Sequence, residues 1–316
     1  MTRQGTSSYA IPVRPPYRLD LTVNALRRLA TNPVDVLTPD GEYLRVLGDM
    51  GEFVVVRVTQ PNPGMLTIGI EGGRREHPQL LALVRRMLGV EVDLTRFYGS
   101  ASGIHWLHPL VLRMRGVKPP RYPTLWEACV NAIVFQQVSL VAASTIMGRL
   151  IMKLGESVDR DGVRLYRFPG VGQVQGGRDS LLRAAGLSGG KLATLRRVGD
   201  ALEEGSLDEA RLEERPSPDA AALLRSIKGI GPWTAALILL RGLGRLDVFP
   251  ANDTSVARNL ALVSGPARPD VQAALEALGS DRGMLYYHLL LARLEARAGL
   301  GPSAASAHHP ARRTGA

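Results

Sequence analysis

Residues Leu223 to Asp253 read L-L-R-S-I-K-G-I-G-P-W-T-A-A-L-I-L-L-R-G-L-G-R-L-D-V-F-P-A-N-D. Two apolar stretches with helical character flank a tight Gly229-Ile230-Gly231-Pro232 turn, and a carboxylate, Asp253, follows about twenty residues later. The glycines let the backbone fold sharply and approach a ligand closely. Pro232 suits the first turn of the second helix, where its missing N–H is not needed. The free N–H groups at that helix start would face an anion, which the helix dipole also favours. A nucleic-acid phosphate fits such a place without any basic side chain, and Asp253 then supplies one acid at fixed reach. Asp253 also has a plain structural use as the N-cap of a helix starting at Thr254, and the two uses are compatible.

Other side chains around this stretch have roles of the same kind. Lys228, Arg241, Arg245 and Arg258 are further candidate phosphate contacts, as is Thr234 at the helix start, and Asp247 is a second, weaker candidate acid. The chain as a whole carries 39 Lys and Arg against 29 Asp and Glu, a net charge of +10, which suits a polyanionic partner. An acidic cluster, Asp200, Glu203, Glu204, Asp208, Glu209, Glu213 and Glu214, reads as a solvated face turned away from that partner.

Two further blocks accompany the turn. Arg113-Met114-Arg115-Gly116-Val117-Lys118-Pro119-Pro120-Arg121 leads into Pro123-Thr124-Leu125-Trp126-Glu127 and then Ala132-Ile133-Val134-Phe135-Gln136-Gln137-Val138-Ser139. Phe168-Pro169 precedes Leu181-Leu182-Arg183-Ala184-Ala185-Gly186-Leu187-Ser188-Gly189-Gly190-Lys191. Together the three blocks resemble the HhH-GPD superfamily of DNA glycosylases, and within it the AlkA type, the bacterial 3-methyladenine DNA glycosylases. The resemblance covers residues 17–300, and is strongest over 113–260.

The resemblance implies a monofunctional glycosylase of base excision repair. Such an enzyme flips a damaged base, an alkylated purine by first expectation, and hydrolyses its N-glycosidic bond to leave an abasic site. Asp253 would stabilise the oxocarbenium-like sugar. Superfamily members that also cleave the strand carry a lysine nucleophile where this chain has Trp233, and an indole cannot form a Schiff base. Trp233 would line the base pocket or simply pack. The resemblance makes Gln137 the wedge that fills the gap left by the flipped base, with Gln136 facing the pocket or the helix junction; an ordinary polar pair between two helices is the alternative. The Gly229 and Gly231 backbone would grip a phosphate, with a monovalent cation as a possible bridge; no other metal and no organic cofactor is expected.

The chain departs from the AlkA type where an aromatic-rich stretch is expected. Ser280-Asp281-Arg282-Gly283-Met284-Leu285-Tyr286-Tyr287-His288 lacks the tryptophan, and only Tyr287 matches a pocket aromatic. The pocket position near Asn24–Ala25 also lacks an aromatic. Deaminated, mismatched or oxidised bases therefore stay open as substrates, as does a catalytically silent helix-hairpin-helix DNA-binding protein.

These residues need a scaffold, and the hydrophobic pattern outlines it. Residues 1–16 are polar and Pro-rich and read as a flexible segment; 17–115 read as an α+β domain; 116–300 read as an all-α helix-hairpin-helix glycosylase domain; 301–316 read as a disordered tail. In the first domain the β-branched runs Gly51–Val58 and Met65–Ile70 flank a Pro61-Asn62-Pro63-Gly64 turn, and Asn24–Ala30 and Gln79–Leu88 read as helices. In the second, Trp126–Leu154 reads as one long helix or two joined near Gln136; Leu192–Leu202, Asp219–Ser226, Thr234–Arg241, Thr254–Val263, Asp270–Leu278 and Met284–Ala298 follow. Cys129 is the one cysteine, which rules out an intramolecular disulfide and a four-cysteine iron–sulfur loop. The six histidines show no metal-ligand spacing. A soluble, cytoplasmic monomer acting on double-stranded DNA, with no membrane role, is the default expectation.

Overall fold

The computed structural model describes residues 6–49, 52–72, 77–250, 259–263, 269–297 and 300. Five strands form an antiparallel sheet in the order β1-β5-β4-β3-β2: Thr6–Pro12, Met65–Glu71, Glu52–Asn62, Tyr43–Asp49 and Val36–Leu37. Side chains alternate across a strand. Val54, Val56 and Val58 of β4 therefore join Leu66, Ile68 and Ile70 of β5 on the face buried in the main core. Val55 and its neighbours Val36, Leu44 and Val46 point the other way. Residues 6–12, expected to be flexible, form edge strand β1, because they pair with β5 from Thr6↔Glu71 to Pro12↔Met65.

The second face of the sheet is covered by a hairpin of strands Ser157–Arg160 (β6) and Val163–Tyr166 (β7), whose Val163 and Leu165 pack against Val36, Leu44, Val46 and Val55. Asp161 and Gly162 both have positive φ, 50° and 78°, the backbone that a two-residue hairpin turn demands. Arg57 on the outer face of β4 pairs with Asp161 at 2.5 Å, pinning the hairpin tip to the sheet. Among the described residues this hairpin is the one β element of the second half, so the all-α expectation for 116–300 is corrected: Val163 and Leu165 gain burial on the open face of the sheet.

Helices make up the rest. In the first half they are α1 (Leu19–Arg27), α2 (Pro78–Leu88), α3 (Thr95–Ser102) and α4 (His108–Arg113). The second half begins with α5 (Leu125–Val134) and α6 (Leu140–Leu154), the pair expected about Gln136. It continues with α7 (Val171–Gln175), α8 (Asp179–Ala184), α9 (Gly189–Glu203), α10 (Glu209–Glu213), α11 (Ser217–Arg225), α12 (Pro232–Gly242), α13 (Val271–Leu278) and α14 (Gly283–Ala296). Of the helix expected over Thr254–Val263, residues 259–263 are helical and the others lie outside the described residues. Every residue of α5 is buried, including Cys129, whose thiol burial pushes up to about 12. A helix apolar all round belongs in the middle of a domain, and α5 packs against α12, α9 and α6. Among the described residues no helix is long and apolar enough to cross a membrane.

The two halves share one core, and two buried arginines join them. Arg45 on β3, 1% exposed, reaches Asp35 and Glu127 at 2.5 Å each, and Tyr43 donates its hydroxyl to Asp35 at 2.7 Å. Glu127 lies in the first turn of α5, so this cluster ties the helix start to the sheet. Burial raises the Glu127 carboxyl above its ordinary value, against the pull of Arg45. Arg241 on α12, 0% exposed, donates Nη2 to the carbonyls of Ala25 and Leu26 at 2.9 and 2.8 Å. It thereby caps the end of α1, where unpaired carbonyls and the helix dipole favour a cation. The linker between the halves is equally fixed: Lys118, fully buried, donates Nζ to Val92 O at 2.6 Å, and the Arg121 N–H bonds Met87 O at 2.9 Å.

Arg45→Met would leave two buried carboxylates without their cation. Stability to urea should fall by about 3–5 kcal/mol. Replacing all three groups together (Arg45→Met, Asp35→Leu, Glu127→Leu) should recover much of that loss. A loss under about 1 kcal/mol for the single variant would show that the cluster does not join the halves.

Candidate nucleic-acid interface

The Gly229–Pro232 turn joins α11 to α12 as the sequence suggested. Gly229 has φ +105°, a conformation that side chains resist. A Cβ there would also overlap the Thr194 hydroxyl and lie 2.8 Å from its Cγ2. Thr194, on α9, is held by its own hydrogen bond to Gly190 O at 2.9 Å. Glycine is therefore required twice over, by torsion and by the close approach of α9. Gly231 is the N-cap of α12 with extended backbone (φ −90°, ψ 178°), Pro232 occupies the first helical turn, and no side chain caps the helix. The N–H groups that a helix start leaves unpaired thus emerge beside a glycine-lined, exposed surface at Lys228 and Gly229.

Gln136 connects this turn to α5. Its Nε2 donates to Gly229 O at 2.9 Å and to Thr234 Oγ1 at 2.7 Å. Gln136, expected at the pocket or the helix junction, is thus bonded to the hairpin turn and the start of α12. Thr234, expected to contact DNA, is 2% exposed and spends its hydroxyl on this bond instead. Gln137 is exposed and has φ +54°. That left-handed residue turns the chain between α5 and α6, which Ser139 then caps by accepting from Ala142 N at 3.2 Å. Val138 and Val141, 38% and 46% exposed, flank it, so the turn presents an amide with apolar shoulders.

Other sequence expectations are redistributed. Arg241 is no phosphate contact, because it is buried on α1. Arg245 donates Nη2 to the carbonyls of Leu212, Glu213 and Arg215 at 3.1, 2.7 and 2.8 Å, closing the end of α10. Tyr287, expected in the base pocket, is 0% exposed and points its hydroxyl at Pro120 O and Leu240 O, 3.2 and 3.4 Å away. Burial raises its phenol above the ordinary range. Through Leu240 O it is bonded to the last turn of α12. Trp233 is half-buried and packs against the core, and Lys228 is exposed, its carbonyl accepting from Arg197 at 3.2 Å. Asp247 is exposed. Asp253 and Arg258 lie outside the described residues.

Several contributors were not foreseen. Thr194 carries no sequence signal as the partner of Gly229. Lys191 closes α5 by donating Nζ to Val134 O at 2.7 Å, and burial lowers its amine below the ordinary lysine value. Trp126 Nε1 donates to Pro169 O at 2.9 Å, so the Phe168-Pro169 block meets the Trp126-Glu127 block at α5. Among the described residues no group of His, Cys, Asp or Glu is placed to hold a metal ion. The carbonyls of Ile227 and Gly229 each accept one N–H, from Ile230 and Gln136. Each keeps a second lone pair.

Gly229→Ala should weaken duplex binding at low salt by tenfold or more, since the turn must open to admit the methyl group. Thr194→Ala added to it should restore binding in part, removing the overlap but not the torsional strain of roughly 1 kcal/mol. Undiminished binding by Gly229→Ala would separate the turn from the interface.

No family model matches the chain. Curated relatives do. It is 29% identical over 255 residues to the probable bifunctional transcriptional activator/DNA repair enzyme AlkA of Mycobacterium tuberculosis, 79% of this chain and 49% of that one. It is 25% identical over 248 residues to DNA-3-methyladenine glycosylase 2 of Escherichia coli, 78% of this chain and 84% of that one. The chain thus spans about half the length of the mycobacterial relative. Its fold is that of the solved 3-methyladenine DNA-glycosylase from Archaeoglobus fulgidus, with a TM-score of 0.76 at 24% identity, covering 91% of this chain and 99% of that one. Its three motif blocks meet around one hairpin, and in sequence the chain is similar to enzymes named DNA-3-methyladenine glycosylase or AlkA.

Proposed function

We propose that the chain is a monofunctional DNA glycosylase of base excision repair, acting on damaged bases in double-stranded DNA and leaving an abasic site. The observation that carries this reading is the junction of two turns. The uncapped start of α12 is fastened through Gln136 to the α5–α6 turn that exposes Gln137. One turn receives a phosphate on backbone N–H groups; the other enters the space of an extruded base. The same two carbonyls of Ile227 and Gly229 would fit a monovalent cation bridging to that phosphate.

Asp253 follows the hairpin at the position of the family acid, and its carboxylate would offset the positive charge that develops on the sugar as the C1′–N bond breaks. Water then adds to C1′ and loses a proton, and the base departs with the bonding electron pair. An alkylated purine is cationic before this step and neutral after it, so it leaves without a strong acid; one carboxylate is then enough. Trp233 stands where a strand-cleaving relative needs an amine, so no imine forms and the backbone stays intact. The reading has the protein working as a monomer wherever the cell keeps its DNA.

The test is base release from duplexes carrying single defined lesions, by wild type and Asp253→Asn. Wild type should release an alkylated purine, with strands cut only after hot alkali. The variant should be slower by about 10²–10³-fold or more while still binding duplex, as expected when a transition-state charge partner is lost. Strand cleavage without alkali would overturn the monofunctional assignment. Binding without base release from any lesion would leave a DNA-binding protein only.

A further inference from the structure

Arg28 has no assigned role, and three of its features are anomalous together. It is 3% exposed, and among the described residues its Nη1 has no hydrogen-bond partner. It forms no ion pair with any described carboxylate. Its backbone sits at φ +65°, ψ −59°, where a long side chain is strained. Its guanidinium lies 3.7 Å over the centre of the Phe135 ring. A buried guanidinium with an idle donor is destabilising unless something else uses the donor.

Its position points to that use. Phe135 ends α5 and directly precedes Gln136, which holds the Gly229 turn, and Gln137, the exposed turn residue. Arg28 follows α1, which Arg241 fastens to α12. It therefore links the end of α1 to the end of α5, beside the turn that carries Gln136 and Gln137. Stacking on Phe135 fixes the guanidinium plane and leaves its edge N–H groups directional.

We propose that Arg28, oriented by Phe135, donates an N–H to an acceptor atom of the extruded base and biases the enzyme toward neutral lesions. This rests on the glycosylase reading above and specifies its substrates. The two classes of lesion differ in what they need. A cationic alkylpurine becomes neutral as its C1′–N bond breaks, so a nearby guanidinium gives it nothing and repels it beforehand. A neutral base such as hypoxanthine takes both electrons of that bond and departs as an anion. An Arg28 N–H bonded to its oxygen or ring nitrogen stabilises that charge as it forms. The anion then takes a proton from solvent, water supplies hydroxyl to C1′, and the guanidinium ends as it began. The scarcity of aromatic residues at the expected pocket positions fits the same preference, since a cationic base gains most from aromatic faces.

The experiment compares single-turnover release of hypoxanthine and of 7-methylguanine from matched duplexes by wild type and Arg28→Met. Loss of tenfold or more on hypoxanthine, with 7-methylguanine unchanged or faster, is the expected result. Phe135→Leu, which keeps the charge but removes its support, should give a smaller loss of the same selectivity, and it decides the matter should Arg28→Met not fold. Equal losses on both bases would make Arg28 a structural residue, and no change on either would make it idle; both overturn the proposal while leaving the glycosylase reading intact. Release of neither base by wild type would overturn both.

Discussion

One buried guanidinium, Arg45, lies between a carboxylate of the sheet side, Asp35, and one of the helical side, Glu127. Unpaired charge is intolerable in that environment, so the three groups lock together or not at all. Their lock sets the start of α5. Everything at the far end of α5 follows from it: Lys191 closing the last carbonyl turn at Val134, Phe135 beneath Arg28, and Gln136 gripping the hairpin. α5 acts as a strut ten residues long, with the fold's electrostatic anchor at one end and the interface at the other.

α12 is the second strut. Arg241 fastens its far end to α1, Tyr287 donates to its Leu240 carbonyl, and its near end is the uncapped, glycine-lined start at Gly231. The two struts meet through Gln136 and Thr234, and Thr194 closes the turn from a third helix. The phosphate contact proposed for this turn needs backbone N–H groups that stay aimed, and three helices hold the turn in place. Preorganisation of this kind lets binding energy act on the transition state, because little reordering remains to be done when the substrate arrives.

What could be read from the sequence divides along physical lines. Gly229, Gly231 and Pro232 were legible because glycine and proline have torsional meanings that survive any context. The α5–α6 break at Gln136 and most helices were legible from apolar spacing. Arg241 and Arg245 were misassigned for a shared reason: a cation has the same chemistry at a phosphate as at a helix's last carbonyls, and only tertiary placement separates the two. The β6–β7 hairpin was missed although Asp161-Gly162 marks its turn, because its four-residue strands carry few apolar side chains, Val158 on β6 and Val163 and Leu165 on β7, and these pack by one face. β1 was missed because a polar edge strand borrows its order from β5. Thr194 and Arg28 give no local signal, since their importance lies in contacts 35 and 107 positions away in sequence.

The proposed function requires Asp253 to face a sugar acquiring positive charge. The most direct measurement is the affinity for duplexes that differ only at the sugar mimic, a cationic pyrrolidine against a neutral tetrahydrofuran. Wild type should bind the pyrrolidine duplex tighter by tenfold or more, and Asp253→Asn should lose that preference. Equal affinity of wild type for the two duplexes would contradict it.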